Sequence, residues 1–112
     1  MSKRDTALLL QDMLESAQKI IAYTSGNDFD QFVSDNKTVD AVVRNFEIIG
    51  EAANRFDVEF KSANPQIDWA RLRGFRNRLI HDYFGVDYEI VWEIIENDLE
   101  ELIFQLQKLT NK

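Results

Sequence analysis

The chain has 112 residues, 20 of them acidic, 13 Lys or Arg and one His, for a formal net charge of −7. An apolar content of 45% with four Gly, one Pro and no Cys describes a single compact domain, 1–112, and excludes a disordered chain, a disulfide framework and a thiolate zinc site. No apolar run approaches the roughly 20 residues needed to span a bilayer. The opening Met1-Ser2-Lys3-Arg4-Asp5 leads into an amphipathic pattern without a signal-peptide cleavage site, so a reducing cytoplasm is the expected compartment.

In chain order, the first helix is predicted from about Asp5 to Tyr23. Ser2 and Asp5 have capping-box spacing, and Leu10, Met13, Leu14, Ala17, Ile20 and Ile21 form a stripe at helical intervals. Thr24-Ser25-Gly26-Asn27 breaks it, and Asp28 caps a short turn through Phe29, Phe32 and Val33. A second long helix starts near Asn36 and ends between Arg55 and Phe60, with Val39, Val42, Val43, Phe46, Ile49, Ala53 and Phe56 as its stripe. Ser62-Ala63-Asn64-Pro65 reads as a loop. Asp68 reads as the N-cap of a third helix that runs to about Phe84, with Gly85 as its C-terminal cap. Asp87 caps a last helix carrying Val91, Ile94, Ile95, Leu99, Leu102, Ile103, Leu106 and Leu109. Glu89, Glu93 and Glu96 suit its dipole at the start, and Lys108 and Lys112 at the end. No strand-like alternation of useful length and no repeat interrupts this. The expected fold is all-α, an antiparallel four- or five-helix bundle. Trp92, Phe104, Ile48 and Ala52 lie off the main stripes, which suggests a second apolar face and a homodimer.

The charge is unevenly spread. Residues 1–60 carry a net −5, residues 61–81 a net +4 and residues 82–112 a net −6. An acidic chain argues against a nucleic-acid partner, but phosphate binding depends on local potential, and Arg71, Arg73, Arg76 and Arg78 crowd beside the only histidine, His81. Such a run is also what an ordinary solvated helix face looks like. On a wheel for residues 69–84, Trp69, Leu72, Ile80 and Tyr83 fall within about 40° of Arg76. A guanidinium in the middle of an apolar arc cannot lose its charge. It needs a buried carboxylate, a cleft or a subunit interface. Asn77, Gly74 and His81 share one flank of that arc. Arg71, Arg78 and Asp82 point to the opposite, solvated side. On an ideal helix Arg76 and His81 stand about 140° apart, so they meet only if the helix loosens or if each pairs across a twofold axis. A histidine one turn before a helix end also has a plain structural account, as a cation complementing the dipole.

The segment Arg76-Asn77-Arg78-Leu79-Ile80-His81-Asp82-Tyr83 resembles the Arg-x4-His-x-Tyr signature of the HEPN superfamily, and specifically of HepT-like toxins. Arg44-Asn45-Phe46-Glu47-Ile48-Ile49-Gly50-Glu51-Ala52 is similar to that family's second-helix block, and Trp69 to Gly74 and Phe84 to Asp87 flank the signature as the family does. The resemblance runs from about Asp5 to Leu106. It implies an all-α homodimer with the signature lining a cleft between subunits. It implies a metal-independent endoribonuclease toxin that needs no cofactor. The implied partner is an MntA-like minimal nucleotidyltransferase antitoxin, which transfers AMP from ATP to Tyr83.

The residues present suit that chemistry. RNA supplies its own nucleophile, the 2′-hydroxyl, so the protein must provide an acid or base that works near neutral pH, and His81 is the candidate. Arg76 offers a fixed, forked donor for the charge that builds on phosphorus. Asn77 is placed to orient His81 or the phosphate, Asp82 to orient a neighbour or pair with Arg78, and Glu51 to partner an arginine. A nucleotide on Tyr83 would add bulk and negative charge where RNA must enter. Two other functions fit the same residues: a non-catalytic helical partner of a nucleotidyltransferase, and a structural dimerisation domain. With one histidine and no cysteine, metal catalysis is not expected.

Overall fold

The computed structural model describes residues 2–81 and 85–111, with Arg76, Ile80 and His81 described through their backbone alone. Among these residues the chain forms helices α1 (Lys3–Thr24), α2 (Phe29–Ser34), α3 (Asn36–Ala53), α4 (Val58–Ala63), α5 (Trp69–Arg73), α6 (Phe75–Leu79), α7 (Tyr88–Asn97) and α8 (Leu99–Thr110). Strands β1 (Ile80–His81) and β2 (Gly85–Val86) add one short antiparallel ladder, pairing Ile80 with Val86 and His81 with Gly85. The class is all-α, as expected. None of the helices is long and apolar enough to cross a membrane.

The helix starts follow from local chemistry. Ser2 accepts from the Asp5 amide at 3.1 Å, and α1 then buries Leu10, Met13, Leu14, Ala17 and Ile20 at three- and four-residue steps. Thr24 donates its hydroxyl to the Ile20 carbonyl at 2.8 Å, and Gly26 turns the chain at φ 78°. Asp28 and Gln31 form a reciprocal capping box on α2. Asp68 and Asp87 accept from the Arg71 and Ile90 amides and start α5 and α7 as read from the sequence. α1 packs along α3 and α8; α5 and α6 pack on α3; α7 contacts α6 and α8. Met13, Ala17, Ile20, Val42, Phe46, Ile49 and Leu106 lie fully buried where these elements meet.

Three expectations are corrected. The second long helix stops at Ala53, and Asp57 starts a separate α4 by accepting from the Phe60 amide at 2.8 Å. The last helix is two, because it is interrupted at Asp98. Aspartate is a poor helix former, and this carboxylate is held by Arg71 of α5 instead of by its own helix. The predicted helix 69–84 ends at Leu79 and passes into β1, and Gly85 is not its cap but the first residue of β2, at φ 75°.

Trp92 also changes its meaning. It is half-buried, with ring centroids 5.2 Å from Phe32 and 6.3 Å from Phe29, so α2 covers it within the same chain. Ala52 is buried too. Phe104 remains half exposed, with the Lys108 ammonium 5.0 Å from its ring centre.

Candidate active site

The signature begins on α6, and α6 is placed by its neighbours. Phe56, Phe60 and Trp69 pack ring to ring at 5.0 to 6.0 Å, and the Trp69 indole N–H donates to the Asn64 carbonyl at 3.0 Å, which fixes where α5 starts. α5 then crosses α3 at Gly50. A Cβ there would stand 3.0 Å from the Leu72 carbonyl oxygen, so the missing side chain is what lets the two backbones approach. Gly74 joins α5 to α6 at an ordinary helical φ of −80°, and a Cβ there would meet carbonyl oxygens only at 3.4 and 3.6 Å. It is a joint between two short helices. Phe75 and Leu79, one turn apart, anchor α6; Phe75 meets Phe46 of α3 edge-on at 5.1 Å.

The end of α6 has a specific cause. The Leu79 carbonyl accepts the Asp87 amide at 2.7 Å, across the hairpin. The chain leaves the helix there and β1 carries His81. Arg76 and His81 therefore do not share one helix, and the wheel that set them about 140° apart does not apply. Arg76 sits between buried Phe75 and exposed Asn77 on α6, and His81 lies on β1 opposite Gly85. Asp82 and Tyr83 lie outside the described residues. The apolar side of the segment is formed by Trp69, Leu72, Phe75 and Leu79.

Glu51 is on α3 and pairs with Arg44 at 3.8 Å, both side chains more than 60% exposed. Its arginine partner is therefore a neighbour on its own helix. Two arginines expected on a solvated side are elsewhere. Arg71 reaches across to Asp98 at the α7–α8 junction, and its Nε is buried with no hydrogen-bond partner among the described residues. Arg78 is partly buried, with Nη1 likewise lacking a partner among the described residues. Nothing local foretells the Arg71–Asp98 pair, which spans 27 positions. The run of arginines is thus divided between ion-pairing, partial burial and open surface at Arg73.

Residues 13–109 match the model of the family described as Ribonuclease HepT-like. The chain belongs to the HepT-like ribonuclease family. A Methanocaldococcus jannaschii protein provisionally named RNase MJ0127 is 38% identical over 109 residues, covering 97% of this chain and 90% of that one. A second from the same organism, provisionally named RNase MJ1380, is 40% identical over 102 residues, covering 91% and 94%. A Thermococcus cleftensis protein provisionally named ribonuclease HepT is 37% identical over 107 residues, covering 96% and 97%. No solved structure matches the chain. In this HepT-like chain the family match spans α3, the α5–α6 segment and the hairpin, so every residue singled out above falls inside it.

Proposed function

We propose that this chain is a metal-independent endoribonuclease toxin, acting in the cytoplasm as a homodimer. The observation that carries the reading is the coincidence of three things on one segment: the Arg-x4-His-x-Tyr sequence, the net +4 of residues 61–81 in a chain of −7, and the family match. In this reading His81 takes the proton of a ribose 2′-hydroxyl as its oxygen attacks the adjacent phosphorus, or returns one to the departing 5′-oxygen. The products are a 2′,3′-cyclic phosphate and a free 5′-hydroxyl. Arg76 stabilises the charge gathering on the phosphoryl oxygens. The second copy supplies the other Arg/His set, so acid and base roles are divided between subunits. Asn77 and Asp82 orient these groups, and Glu51 supports them from α3.

An MntA-like nucleotidyltransferase antitoxin switches the enzyme off. The Tyr83 phenol oxygen displaces pyrophosphate from ATP and keeps the AMP. The deciding experiment induces wild type, Arg76→Ala and His81→Ala in growing cells and incubates each purified protein with RNA in a chelator. Wild type should arrest growth and cut RNA; both variants should do neither while keeping the wild-type mass in solution. Equal arrest by His81→Ala would sink the proposal. Co-purification with a nucleotidyltransferase and nucleotide transfer without any RNA cleavage would favour a non-catalytic partner instead. Loss of the dimer in Arg76→Ala as the sole effect would favour a dimerisation domain.

A further inference from the structure

The arginines of the signature segment stand on two different flanks. The Gly74 amide donates to the Ala70 carbonyl at 3.1 Å and the Arg78 amide to the Gly74 carbonyl at 3.0 Å, so helical spacing carries across the joint between α5 and α6. Trp69, Leu72, Phe75 and Leu79 face the core. At about 100° per residue Arg71 and Arg78 fall on one side of that apolar line, and Ala70, Arg73, Gly74 and Asn77 on the other. The first flank is closed, with Arg71 paired to Asp98 and Arg78 partly buried. The second is open: Ala70, Arg73 and Asn77 are exposed. The Arg73 backbone passes beside Gly50 of α3, yet Glu51, the next residue there, is paired with Arg44. The Arg73 guanidinium has no carboxylate or hydrogen-bond partner among the described residues.

A guanidinium keeps its charge at every working pH and offers five donors, so an unpartnered one on an open flank is a ready contact for an anion. From Ala70 to Leu79 the only charged residues are arginines, so no carboxylate of this segment opposes an anion there. Ala70 and Gly74, beside Arg73 on the flank, carry no bulk that would hold a strand off the helix. Arg73 stands three positions before Arg76, about 4.5 Å along the helix and about 60° around it. The geometry points to Arg73 as the residue that binds a phosphate of the RNA strand next to the one that is cut. The inference rests on the ribonuclease reading for its choice of anion. Phosphates carry no sequence information, so Arg73 supplies affinity shared by all sequences and no base preference. It is a binding residue and takes no part in the chemical step.

The test measures binding of the full chain to a short single strand of 2′-O-methyl RNA, which has no 2′-hydroxyl to attack with, by fluorescence anisotropy over a range of salt. Cleavage is followed on the unmodified strand of the same sequence. Arg73→Gln should weaken binding about tenfold at low salt and make the slope of log K against log salt less negative by about 0.7, the value of one phosphate contact on a single strand. Lys19→Gln, at an exposed position of α1, changes the net charge equally and should leave the slope unchanged and binding within about twofold. In cleavage, KM should rise about tenfold with kcat kept, and Arg73→Lys, which restores the charge, should recover most of the binding. The loss should be equal for uridine-rich and adenine-rich strands. The inference is overturned if Arg73→Gln binds no more weakly than Lys19→Gln, if the salt slope stays at the wild-type value, if the loss depends on base sequence, or if kcat falls while KM holds. A wild type whose binding depends on Arg73 but that cuts no RNA would overturn the ribonuclease reading and leave the phosphate contact standing. A wild type that neither binds nor cuts would overturn both.

Discussion

Gly50→Ala tests how closely α5 is seated on α3. In an unobstructed helix, replacing glycine by alanine stabilises by about 1 kcal/mol. Here the added Cβ would lie 3.0 Å from the Leu72 carbonyl oxygen, several tenths of an ångström inside ordinary contact. That oxygen is backbone and cannot swing away. Giving way would move the whole of α5, which buried Trp69 and Leu72 and the indole bond to Asn64 hold in place. Overpacking of this kind costs about 1–3 kcal/mol, so the net expectation is a loss of about 1 kcal/mol. For a domain of this size that lowers Tm by about 4 °C. Because α6 continues from α5, RNA cleavage should fall further than the stability loss explains. Urea unfolding followed by circular dichroism, with cleavage assayed well below Tm, reads both. A Tm raised by about 4 °C with full activity would mean that propensity alone governs the site and that the close approach is not rigid.

Gly85→Ala should lower stability by about 1–2 kcal/mol from backbone strain alone, since φ is 75° and nothing lies within 4 Å of the new Cβ; Gly85→Asn should cost less, as thermal melts would show. Glu51→Gln should leave Tm within about 1 °C, because the Arg44 pair is exposed and such pairs contribute little, so any cleavage lost by that variant is a matter of chemistry. Asp35→Asn tests a pH dependence. The Thr38 hydroxyl, with its amide, holds the Asp35 carboxyl below its ordinary 3.8, and a depressed carboxyl stabilises above its unfolded value and loses that contribution as pH falls through the folded one. Melts from about pH 6 to pH 2.5 should therefore show the wild-type advantage over Asp35→Asn shrinking below pH 3.8.

What could be read in the sequence was local. Ser2, Asp28, Asp68 and Asp87 each satisfy an amide three residues ahead, and the stripes of α1, α3 and α8 follow from a 3.6-residue period. What could not be read depends on partners far along the chain. The apolar run from Trp69 to Phe84 has a helical period, yet the Leu79 carbonyl is claimed by Asp87, and only the folded chain brings that amide to it. Asp98 marks the break in the last helix, and its carboxylate pairs with Arg71, 27 positions earlier. Trp92 looked like a free apolar face on a wheel of its own helix, and Phe29 and Phe32 cover it from α2. The candidate site was legible as a motif, but its mounting on a helix end and a hairpin was not.

Asp87 joins two elements at once. Its amide closes the hairpin on Leu79, and its carboxylate starts α7 by holding the Ile90 amide at 3.2 Å. Opening one bond strains the other, so the strand bearing His81 and the first turn of α7 should unfold as a single cooperative unit. In hydrogen exchange the Asp87 and Ile90 amides would then exchange with the same opening free energy. A destabilising change in the first turn of α7, distant in sequence from the signature, would loosen the backbone on which the histidine rides.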